Sequence, residues 1–349
     1  MATAACGVRD EMMSQLKVTI AGAGIFGLWQ ALMLARAGHR VEVLERVAEP
    51  FAQSASQYAG AMIAPYCEAE SAEPVVRELG LHAAKLWKQA YPGLIERGTL
   101  VVAGARDQGE LRRFERLTVG HERLDEGRIG ALEPDLGGRF QSGLLFPDEA
   151  HIVTPDALRD LLRLAREAGA VFHFGAAWDG ALPIDGSVVI DCRGIAAQAE
   201  LETLRGVRGE RLVVATREIA LERPVRLLHP RHPLYIVPWG DGRFMVGATV
   251  IETAEERDVT VRSALELLGL AYALHPAFGE AEVVEMAAGV RPSFPDNVPR
   301  VIVERDGRII RVNGAFRHGF LLGPVMAEVV AEMLGGDQFA HPLLVDRRG

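Results

Sequence analysis

Three glycines near the start of the chain have the spacing of a nucleotide-binding loop. Gly22, Gly24 and Gly27 form a G-x-G-x-x-G pattern between a short β-rich run and a helical pattern over 25–36. In that context the backbone can approach a pyrophosphate, which then lies at the positive end of the helix. Glu45 follows Gly27 by 18 residues, at the end of a second predicted strand, where a carboxylate can accept hydrogen bonds from a ribose. These four residues predict a dinucleotide site in a βαβ unit.

The glycine loop alone does not choose between NAD and FAD. Only one such pattern occurs, so a second nucleotide domain is not visible, and a purely structural glycine turn also fits. A second glycine-rich segment, residues 314–319, precedes an amphipathic helical pattern that ends near residue 334. The N-terminus of that helix would favour the anionic reduced form of a flavin ring. This second helix start favours FAD, while an NAD-dependent dehydrogenase remains the alternative.

Length and composition indicate a globular chain of about two domains. The 349 residues are 49% hydrophobic and 24% charged. The formal charge of −9 disfavours nucleic acid and anionic membranes as partners. Three scattered cysteines fit a reducing compartment, and no histidine or cysteine spacing predicts a metal site. Residues 1–16 lack the apolar segment of a secretory signal and read as a loose tail, so we expect a cytoplasmic protein without a membrane span.

The period of the hydrophobic pattern changes along the chain. Helical patterns alternate with short strands up to residue 191, and a period of two dominates afterwards. No linker rich in serine, glycine or proline marks a boundary, so we expect interleaved domains. Helices are predicted over 74–90, 107–133, 154–168, 260–274 and 319–334, and strands over 100–103, 171–174, 188–191, 211–216, 225–229, 234–238, 243–249, 299–304 and 308–312.

Seven separated motifs, in the right order, resemble the D-amino-acid oxidase superfamily of flavoproteins. The resemblance covers residues 18–334 and is strongest to the glycine oxidases of thiamine biosynthesis. Besides the glycine loop with Glu45, the motifs are SASQYAGAMIAP (54–65), LEP with PDEAHIVTP (132–134 and 147–155), DCRG (191–194), LYIVP with GAT (234–238 and 247–249), AGVRP (288–292) and GAFRHG (314–319).

The resemblance implies three residues for substrate binding. Arg291 matches the arginine that holds the substrate carboxylate in this family, and its planar fork can pair both carboxylate oxygens. Tyr235 matches a pocket tyrosine that assists this grip, and Arg317 matches an arginine at the pocket edge. Plainer interpretations stay open: a surface salt bridge for Arg291, a core position for Tyr235, and a contact with the flavin edge or solvent for Arg317. His318 is expected to line the flavin loop without acting as a base.

The resemblance also implies FAD as the cofactor. We expect noncovalent binding, because no cysteine lies near the C-terminal glycine loop, where sarcosine oxidases place a covalent link. Trp239 departs from the arginine of many glycine oxidases and could reshape the pocket mouth. The residues expected to bind FAD are Gly22, Gly24, Ile25, Phe26, Gly27, Glu45, Arg46, Ser54, Ser56, Ala59, Gly60, Ala61, Met62, Gly194, Gly289, Gly314, Phe316, Arg317, His318, Gly319 and Phe320.

The predicted function is the FAD-dependent oxidation of glycine or another small amino acid. Hydride passes from the α-carbon to flavin N5, dioxygen accepts the electrons, and the products are an imine or oxo acid, ammonia and hydrogen peroxide. The flavin carries the chemistry, so no side chain is expected as a general base. The alternatives are an oxidase of sarcosine or other secondary amines, a D-amino-acid oxidase, a dehydrogenase with another acceptor, and a noncatalytic FAD-binding subunit. The sequence leaves the oligomeric state open, a homo-oligomer included.

The predicted fold class is α/β with two interleaved domains. A Rossmann-like FAD-binding domain comprises residues 15–70, 147–205 and 287–349. A substrate-binding domain on a mixed or antiparallel sheet comprises residues 71–146 and 206–286.

Overall fold

The computed structural model of the protein describes residues 15–231, 233–336 and 340–347, so the tail expected at the N-terminus lies almost wholly outside the described residues. The strands are β1 (Lys17–Ala21), β2 (Arg40–Glu45), β3 (Met62–Ile63), β4 (Thr99–Ala103), β5 (Glu122–Asp125), β6 (Ser142–Phe146), β7 (Ala150–His151), β8 (Val171–Phe174), β9 (Val188–Asp191), β10 (Arg205–Ala215), β11 (Val225–Leu228), β12 (Leu234–Pro238), β13 (Arg243–Gly247), β14 (Glu282–Ser293), β15 (Arg300–Glu304), β16 (Ile309–Asn313) and β17 (Leu344–Arg347). The α-helices are α1 (Ile25–Arg36), α2 (Pro65–Glu68), α3 (Pro74–Ala90), α4 (Gln108–Leu117), α5 (Glu126–Leu132), α6 (Thr154–Glu167), α7 (Val261–Leu274) and α8 (Gly319–Leu334).

The first sheet has the arrangement that a nucleotide-binding domain needs. Its strand order is β17-β15-β16-β9-β1-β2-β8. Strand β1 runs parallel to both β2 and β9, and α1 makes the crossover between β1 and β2. The carboxyl ends of parallel strands meet at one edge of a sheet. The glycine loop after Ala21, the carboxylate of Glu45 and the turn after Asp191 therefore lie side by side.

Helices α1, α3, α6 and α8 build the core of this domain. Helix α1 is buried around most of its surface because it packs against α6, α8 and the sheet. A Cβ on Gly323 of α8 would lie 2.7 Å from the Trp29 ring, so the glycine lets the two helices approach. Trp87 of α3 meets Trp29 edge to face, with ring centroids 4.7 Å apart. Helix α3 thus packs on the nucleotide-binding side, although it lies in the range predicted for the substrate domain.

The second sheet has eight strands in the order β14-β10-β13-β12-β11-β4-β6-β5. Its neighbouring strands are antiparallel except for the parallel pair β11 and β4. Helix α7 covers one face, where Leu267 and Ala271 join the apolar side chains of Leu212, Val214 and Ile236. Two sheets with separate apolar cores confirm the predicted α/β class.

One secondary-structure prediction was wrong, and several strands were not predicted. The helix predicted over 107–133 is divided into α4, β5 and α5, because the segment after Thr118 turns at Gly120, whose φ is +79°, and then pairs with β6. The 12-residue strand β14, which no pattern predicted, pairs with β10 along its whole length. Strands β3, β6, β7 and β17 were also not predicted.

Candidate active site

One cavity of about 810 Å³ runs from the carboxyl edge of the first sheet to the second sheet. Its volume falls in the range of about 300–1,000 Å³ that is common for cofactor and ligand sites. The glycine loop and Glu45 line one part, here called the nucleotide end. Tyr235 of β12 and Arg291 of β14 line the other part, here called the reaction end. A ligand that fills the cavity would therefore contact both domains.

The glycine loop forms a tight turn at the nucleotide end. Gly22 has a φ of +99°, and a Cβ there would lie 2.7 Å from the carbonyl oxygen of Cys192. The backbone N–H of Ala23 donates to Glu45 Oε2 (2.8 Å), and the N–H of Ile25 donates to Ser56 Oγ (3.0 Å). The first turn of α1 has N–H groups without acceptors inside the helix, and it opens onto the cavity. This is the arrangement that binds phosphate oxygens.

Further polar and aromatic groups surround Glu45. Its two carboxylate oxygens accept from the N–H groups of Ala23 and Val47, and each oxygen keeps a lone pair for a ribose hydroxyl. Trp178 lines the same region, because the N–H of Ala176 donates to the Glu45 carbonyl (2.9 Å) and brings this loop to the end of β2. The Arg193 guanidinium lies 4.8 Å from the Trp178 ring centre.

The start of α8 approaches the cavity from the C-terminal part of the chain. The segment after β16 is held by bonds from Asn313 Nδ2 to the Gly194 carbonyl (2.9 Å) and from the Phe316 N–H to the Pro292 carbonyl (2.8 Å). Phe316 has a φ of +44°. As a result, Arg317, His318, Gly319 and Phe320 all line the cavity together with the start of α1.

Small residues line the middle of the cavity. Gly60 and Ala61 belong to a loop that Thr154 ties down by donating its Oγ1–H to the Ala59 carbonyl (2.6 Å). A Cβ on Gly60 would lie 2.5 Å from Met245 and 2.7 Å from the Tyr235 ring. Position 60 therefore needs a glycine, because the loop passes close to the wall of the reaction end there.

Arg291 projects into the reaction end from β14. Val207 of β10 is the cross-strand partner of Arg291, and Gly209 lies two residues further along the same strand. A Cβ on Gly209 would lie 2.0 Å from the Arg291 Nη2, so the glycine leaves room for the guanidinium. Nη1 donates to the Thr249 carbonyl (3.1 Å), and no carboxylate of the described residues lies within 4 Å of the guanidinium. Burial and the neighbouring Arg317 lower the Arg291 pKa, but an arginine stays charged at neutral pH.

A buried carboxylate, Glu68, lies between Arg226 and Arg317. Its Oε1 accepts from Arg226 Nη2 (2.6 Å) and from Arg317 Nη2 (3.2 Å). Burial alone would raise the Glu68 pKa, but Arg317, Arg226 and His318 outweigh it and hold the pKa well below its usual range. Glu68 is therefore ionised at neutral pH.

His318 is buried at the N-terminus of α8 and is neutral at physiological pH. Its Nδ1 lies 3.5 Å from Glu68 Oε2. Burial lowers the His318 pKa to about 4, with Arg317 acting in the same direction against the pull of Glu68. A neutral imidazole without a protein hydrogen bond at Nδ1 fits the expectation that this residue lines the cavity.

The structure brings nearly all predicted site residues to this one cavity. The two exceptions are Gly27 and Gly314, which do not line the cavity and allow close packing behind its wall. A Cβ on Gly27 would lie 1.9 Å from the Gly22 carbonyl oxygen, and a Cβ on Gly314 would lie 2.2 Å from the Phe294 ring. The lining residues among those predicted are Gly22, Gly24, Ile25, Phe26, Glu45, Arg46, Ser54, Ser56, Ala59, Gly60, Ala61, Met62, Gly194, Tyr235, Gly289, Arg291, Phe316, Arg317, His318, Gly319 and Phe320.

Sequence reasoning missed several polar lining residues. Arg226 had one available signal, since a charge inside an apolar strand pattern is rarely buried without a partner. Glu68, Trp178 and Arg193 carry no spacing signal, because their neighbours in space are distant in sequence. Trp239, expected at the pocket mouth, does not line the cavity among the described residues.

Trp239 is separated from the cavity by the side chains of Arg211 and Tyr58. Its ring centre lies 5.4 Å from the Arg211 guanidinium, which in turn lies 5.6 Å from the ring of Tyr58. Tyr58 is the member of this stack that lines the cavity. Trp239 therefore supports the wall from behind.

The cavity fits FAD by its own features. One end offers helix N–H groups beside a carboxylate, which suit a pyrophosphate and a ribose. The middle has a loop of small residues, and the other end has an arginine without a carboxylate partner. Within the described residues no helix is long and apolar enough to cross a membrane, and no group of three or more candidate metal ligands occurs.

Comparison with known proteins agrees with this arrangement. A putative thiamine biosynthesis oxidoreductase ThiO from Rhizobium etli is 52% identical over 324 residues, which are 93% of this chain and 98% of that protein. Glycine oxidase from Geobacillus kaustophilus is 25% identical over 366 residues, which are 95% of this chain and 96% of that protein. The crystal structure of that glycine oxidase has the same fold, with a TM-score of 0.79 at 22% identity over 96% of this chain and 100% of the other.

A family model described as FAD dependent oxidoreductase matches residues 17–333. That range includes the second sheet, the first sheet except β17, and every residue predicted to bind substrate. The resemblance inferred from the seven motifs and the prediction of FAD are confirmed. The chain belongs to the FAD-dependent oxidoreductase family that includes the glycine oxidases and ThiO proteins, and it is an FAD-dependent oxidoreductase.

Proposed function

We propose that this enzyme oxidises glycine or another small amino acid at the α-carbon and passes the electrons to dioxygen. The observation that carries the proposal is Arg291, a charged guanidinium that opens into the reaction end without a carboxylate partner among the described residues. The guanidinium is partly buried, and a cation withdrawn from water without a counter-charge is costly. The carboxylate of an amino acid would supply the missing charge.

The chain's contribution is to hold the substrate in one orientation. Arg291 would bind the carboxylate through two parallel N–H donors. Tyr235 is close enough to affect the Arg291 pKa, and its hydroxyl would donate a hydrogen bond to the same carboxylate. The small-residue loop leaves room for the α-carbon, and a fixed orientation lowers the entropic part of the barrier. FAD, held by the residues of the nucleotide end, would supply the acceptor for the hydride that leaves the α-carbon.

The family and its relatives support a small substrate. The proteins reported above include a glycine oxidase and a putative thiamine biosynthesis oxidoreductase. The Tyr235 ring and the loop at Gly60 are tightly packed, which favours a short side chain. We propose FAD binding without a covalent link, residues 15–70, 147–205 and 287–349 as its domain, and the predicted lining residues as its contacts. Sarcosine and other secondary amines remain the second candidates, since they carry the same carboxylate.

Anaerobic reduction of the flavin tests the substrate class. The holoenzyme is mixed without oxygen with glycine, sarcosine, D-alanine or D-proline, and loss of the yellow flavin absorbance is followed. Ethylamine, which lacks a carboxylate, is the matched negative control. We expect glycine or sarcosine to bleach the flavin and ethylamine to leave it oxidised. Bleaching by ethylamine as fast as by the amino acids would contradict the role of Arg291.

Two simple measurements test the electron acceptor and the cofactor link. Readmission of air should restore the yellow colour and release hydrogen peroxide in proportion to substrate. Flavin that stays reduced in air would indicate a dehydrogenase instead. Acid precipitation should release the flavin into the supernatant, and colour that stays in the pellet would mean a covalent link.

A further inference from the structure

Glu68 lies between two arginines at the reaction end and lines the cavity with both of them. Its Oε1 takes one hydrogen bond from each guanidinium. Arg226 and Glu68 are almost fully buried, whereas the side chain of Arg317 is 28% exposed. The carboxylate therefore holds Arg317 at the point where this arginine faces the cavity.

In the cluster around Glu68, the guanidiniums outnumber the carboxylates that are bonded to them. Three guanidiniums, those of Arg226, Arg291 and Arg317, line the cavity here, and Glu68 is the carboxylate bonded to two of them. Arg291 and Arg317 are close enough for Arg317 to lower the Arg291 pKa. One monocarboxylate ligand on Arg291 supplies a second negative charge, and Arg226 is further compensated by its attraction to Glu149.

A ligand with two carboxylates would have no free cation for its second carboxylate in this cluster. Its second carboxylate would have to approach Arg317, whose charge Glu68 already neutralises. It would also lie against the Glu68 carboxylate in a buried place, and like charges in close contact are costly there. Exclusion by an unfavourable contact is a common source of specificity.

We propose that Glu68 determines substrate specificity by neutralising Arg317, so that the enzyme accepts monocarboxylic amino acids and rejects those with a second anionic group. This inference rests on the proposed function, since it takes Arg291 as the site of the first carboxylate. Its consequence is that Glu68→Gln opens a second anion site at Arg317. Glutamine keeps an oxygen that can accept from Arg226, so the buried arginine retains a hydrogen bond.

The test uses ligands that the enzyme cannot oxidise. Methoxyacetate has one carboxylate, and diglycolate has the same ether backbone with two. Both are titrated into the holoenzyme, and their Kd values are read from the change in the flavin absorbance spectrum. We expect the wild type to prefer methoxyacetate and Glu68→Gln to shift the Kd ratio toward diglycolate by at least about tenfold.

Two further variants show whether the gain passes through Arg317. Glu68→Gln combined with Arg317→Met should lose the gain for diglycolate. Glu304→Gln removes a carboxylate from the buried Arg311, outside the cavity, and should leave the ratio at the wild-type value. An unchanged ratio in Glu68→Gln, or a change of equal size in Glu304→Gln, would overturn the proposal. Wild-type enzyme that binds diglycolate as tightly as methoxyacetate would overturn it without any variant.

Failure of this inference can be told apart from failure of the proposed function. If no amino acid bleaches the flavin but the Kd ratio shifts as expected, the anion sites are right and the proposed reaction is wrong. If glycine bleaches the flavin and the ratio does not shift, only the role of Glu68 is wrong. If neither ligand changes the flavin spectrum in any variant and no amino acid bleaches the flavin, both ideas fail.

Discussion

The two ends of the cavity are held together by different kinds of contact. At the nucleotide end, backbone N–H groups of one short loop bond to Glu45 and to Ser56. At the reaction end, buried side-chain charges are paired across large sequence distances, as between Glu68 and Arg317. Part of the binding at the first end comes from backbone N–H groups, which a side-chain substitution does not remove. The second depends on a few charged side chains, each of which leaves a partner uncompensated when it is lost.

This difference sets the order of the expected effects. A substitution at the reaction end should change orientation and turnover, while one at the nucleotide end should change affinity for the cofactor and leave the bound enzyme active. Measuring turnover and FAD affinity for variants at both ends therefore tests whether the two ends act separately.

The largest effect is expected at Arg291. Arg291→Ala should lose about 2–4 kcal/mol of transition-state stabilisation, the range for truncation of one partner of a buried charge pair. Arg291→Lys keeps the charge but loses the planar fork, so KM should rise strongly and the rate of flavin reduction should fall. Stopped-flow reduction with glycine or sarcosine measures both, and FAD content should stay at the wild-type level.

The outcome that contradicts this prediction is a variant with normal FAD and near-normal turnover. Arg317 would then be the first replacement candidate for carboxylate binding. Ethylamine serves as the internal control, because it should leave the flavin oxidised in the wild type and in both variants.

Glu45 should give the next largest effect, confined to cofactor affinity. Glu45→Ala removes the acceptor of the Ala23 N–H and the predicted ribose contact, which should cost about 1.5–3 kcal/mol, or about ten- to a hundredfold in Kd. Titration of apoprotein with FAD measures this by the quenching of flavin fluorescence. Glu45→Gln can still accept from Ala23, so it should lose less.

A further comparison separates the two roles of Glu45. At saturating FAD, kcat should match the wild type, because the reaction end is unchanged. Unchanged FAD affinity in Glu45→Ala would place the ribose elsewhere, and a reduced kcat at saturation would show that the two ends are coupled.

The sequence predicted the nucleotide end better than the reaction end, and the contrast above explains why. Gly22, Gly24 and Glu45 follow from local spacing in one βαβ unit, whose strand and helix positions a short window contains. Arg291, Tyr235 and Arg317, which line the cavity, were predicted as substrate-binding residues only through the family resemblance. Glu68 was not found, because nothing in its own neighbourhood indicates that Arg226 and Arg317, more than 150 residues later, would surround it.

The same reason explains why strand β14 was not predicted. The first half of β14 places Val283, Val284 and Met286 on the surface beside two glutamates, so its sequence lacks a period of two. Its identity as a strand comes from pairing with β10, which is remote in sequence. The strand that carries Arg291 is thus defined by tertiary contacts.

A smaller effect on cofactor affinity is expected at Trp178. The indole Nε1–H donates to the Ala181 carbonyl (2.9 Å) and Arg193 lies over the ring, so the side chain is fixed where it lines the nucleotide end. We predict that it packs against the adenine, with about 1–3 kcal/mol lost in Trp178→Ala, as for other bases on aromatic side chains. Titration of apoprotein with ADP measures this contribution without the flavin ring.

Trp178→Phe is the matched variant, since it keeps an aromatic face and should retain most of the ADP affinity. Trp239→Phe is the control for tryptophan loss outside the cavity. Equal ADP affinity in wild type and Trp178→Ala would show that the ring forms the wall without contacting the base.

The smallest effect on turnover is expected at His318, although it lies within the reaction end. Burial lowers its pKa to about 4, so the imidazole is neutral throughout the range in which amino-acid oxidation would be assayed. His318→Asn should therefore leave the shape of the pH profile of kcat/KM between pH 6 and 9 unchanged. Stability should respond instead: between about pH 6.5 and pH 4 the unfolded chain binds a proton at His318 that the folded chain does not, so the free energy of unfolding falls as the pH falls through this window. Urea unfolding at pH 7 and pH 4.5 should show a smaller loss in His318→Asn than in the wild type, and an altered kcat/KM profile near neutral pH would instead assign a proton-transfer role to this histidine.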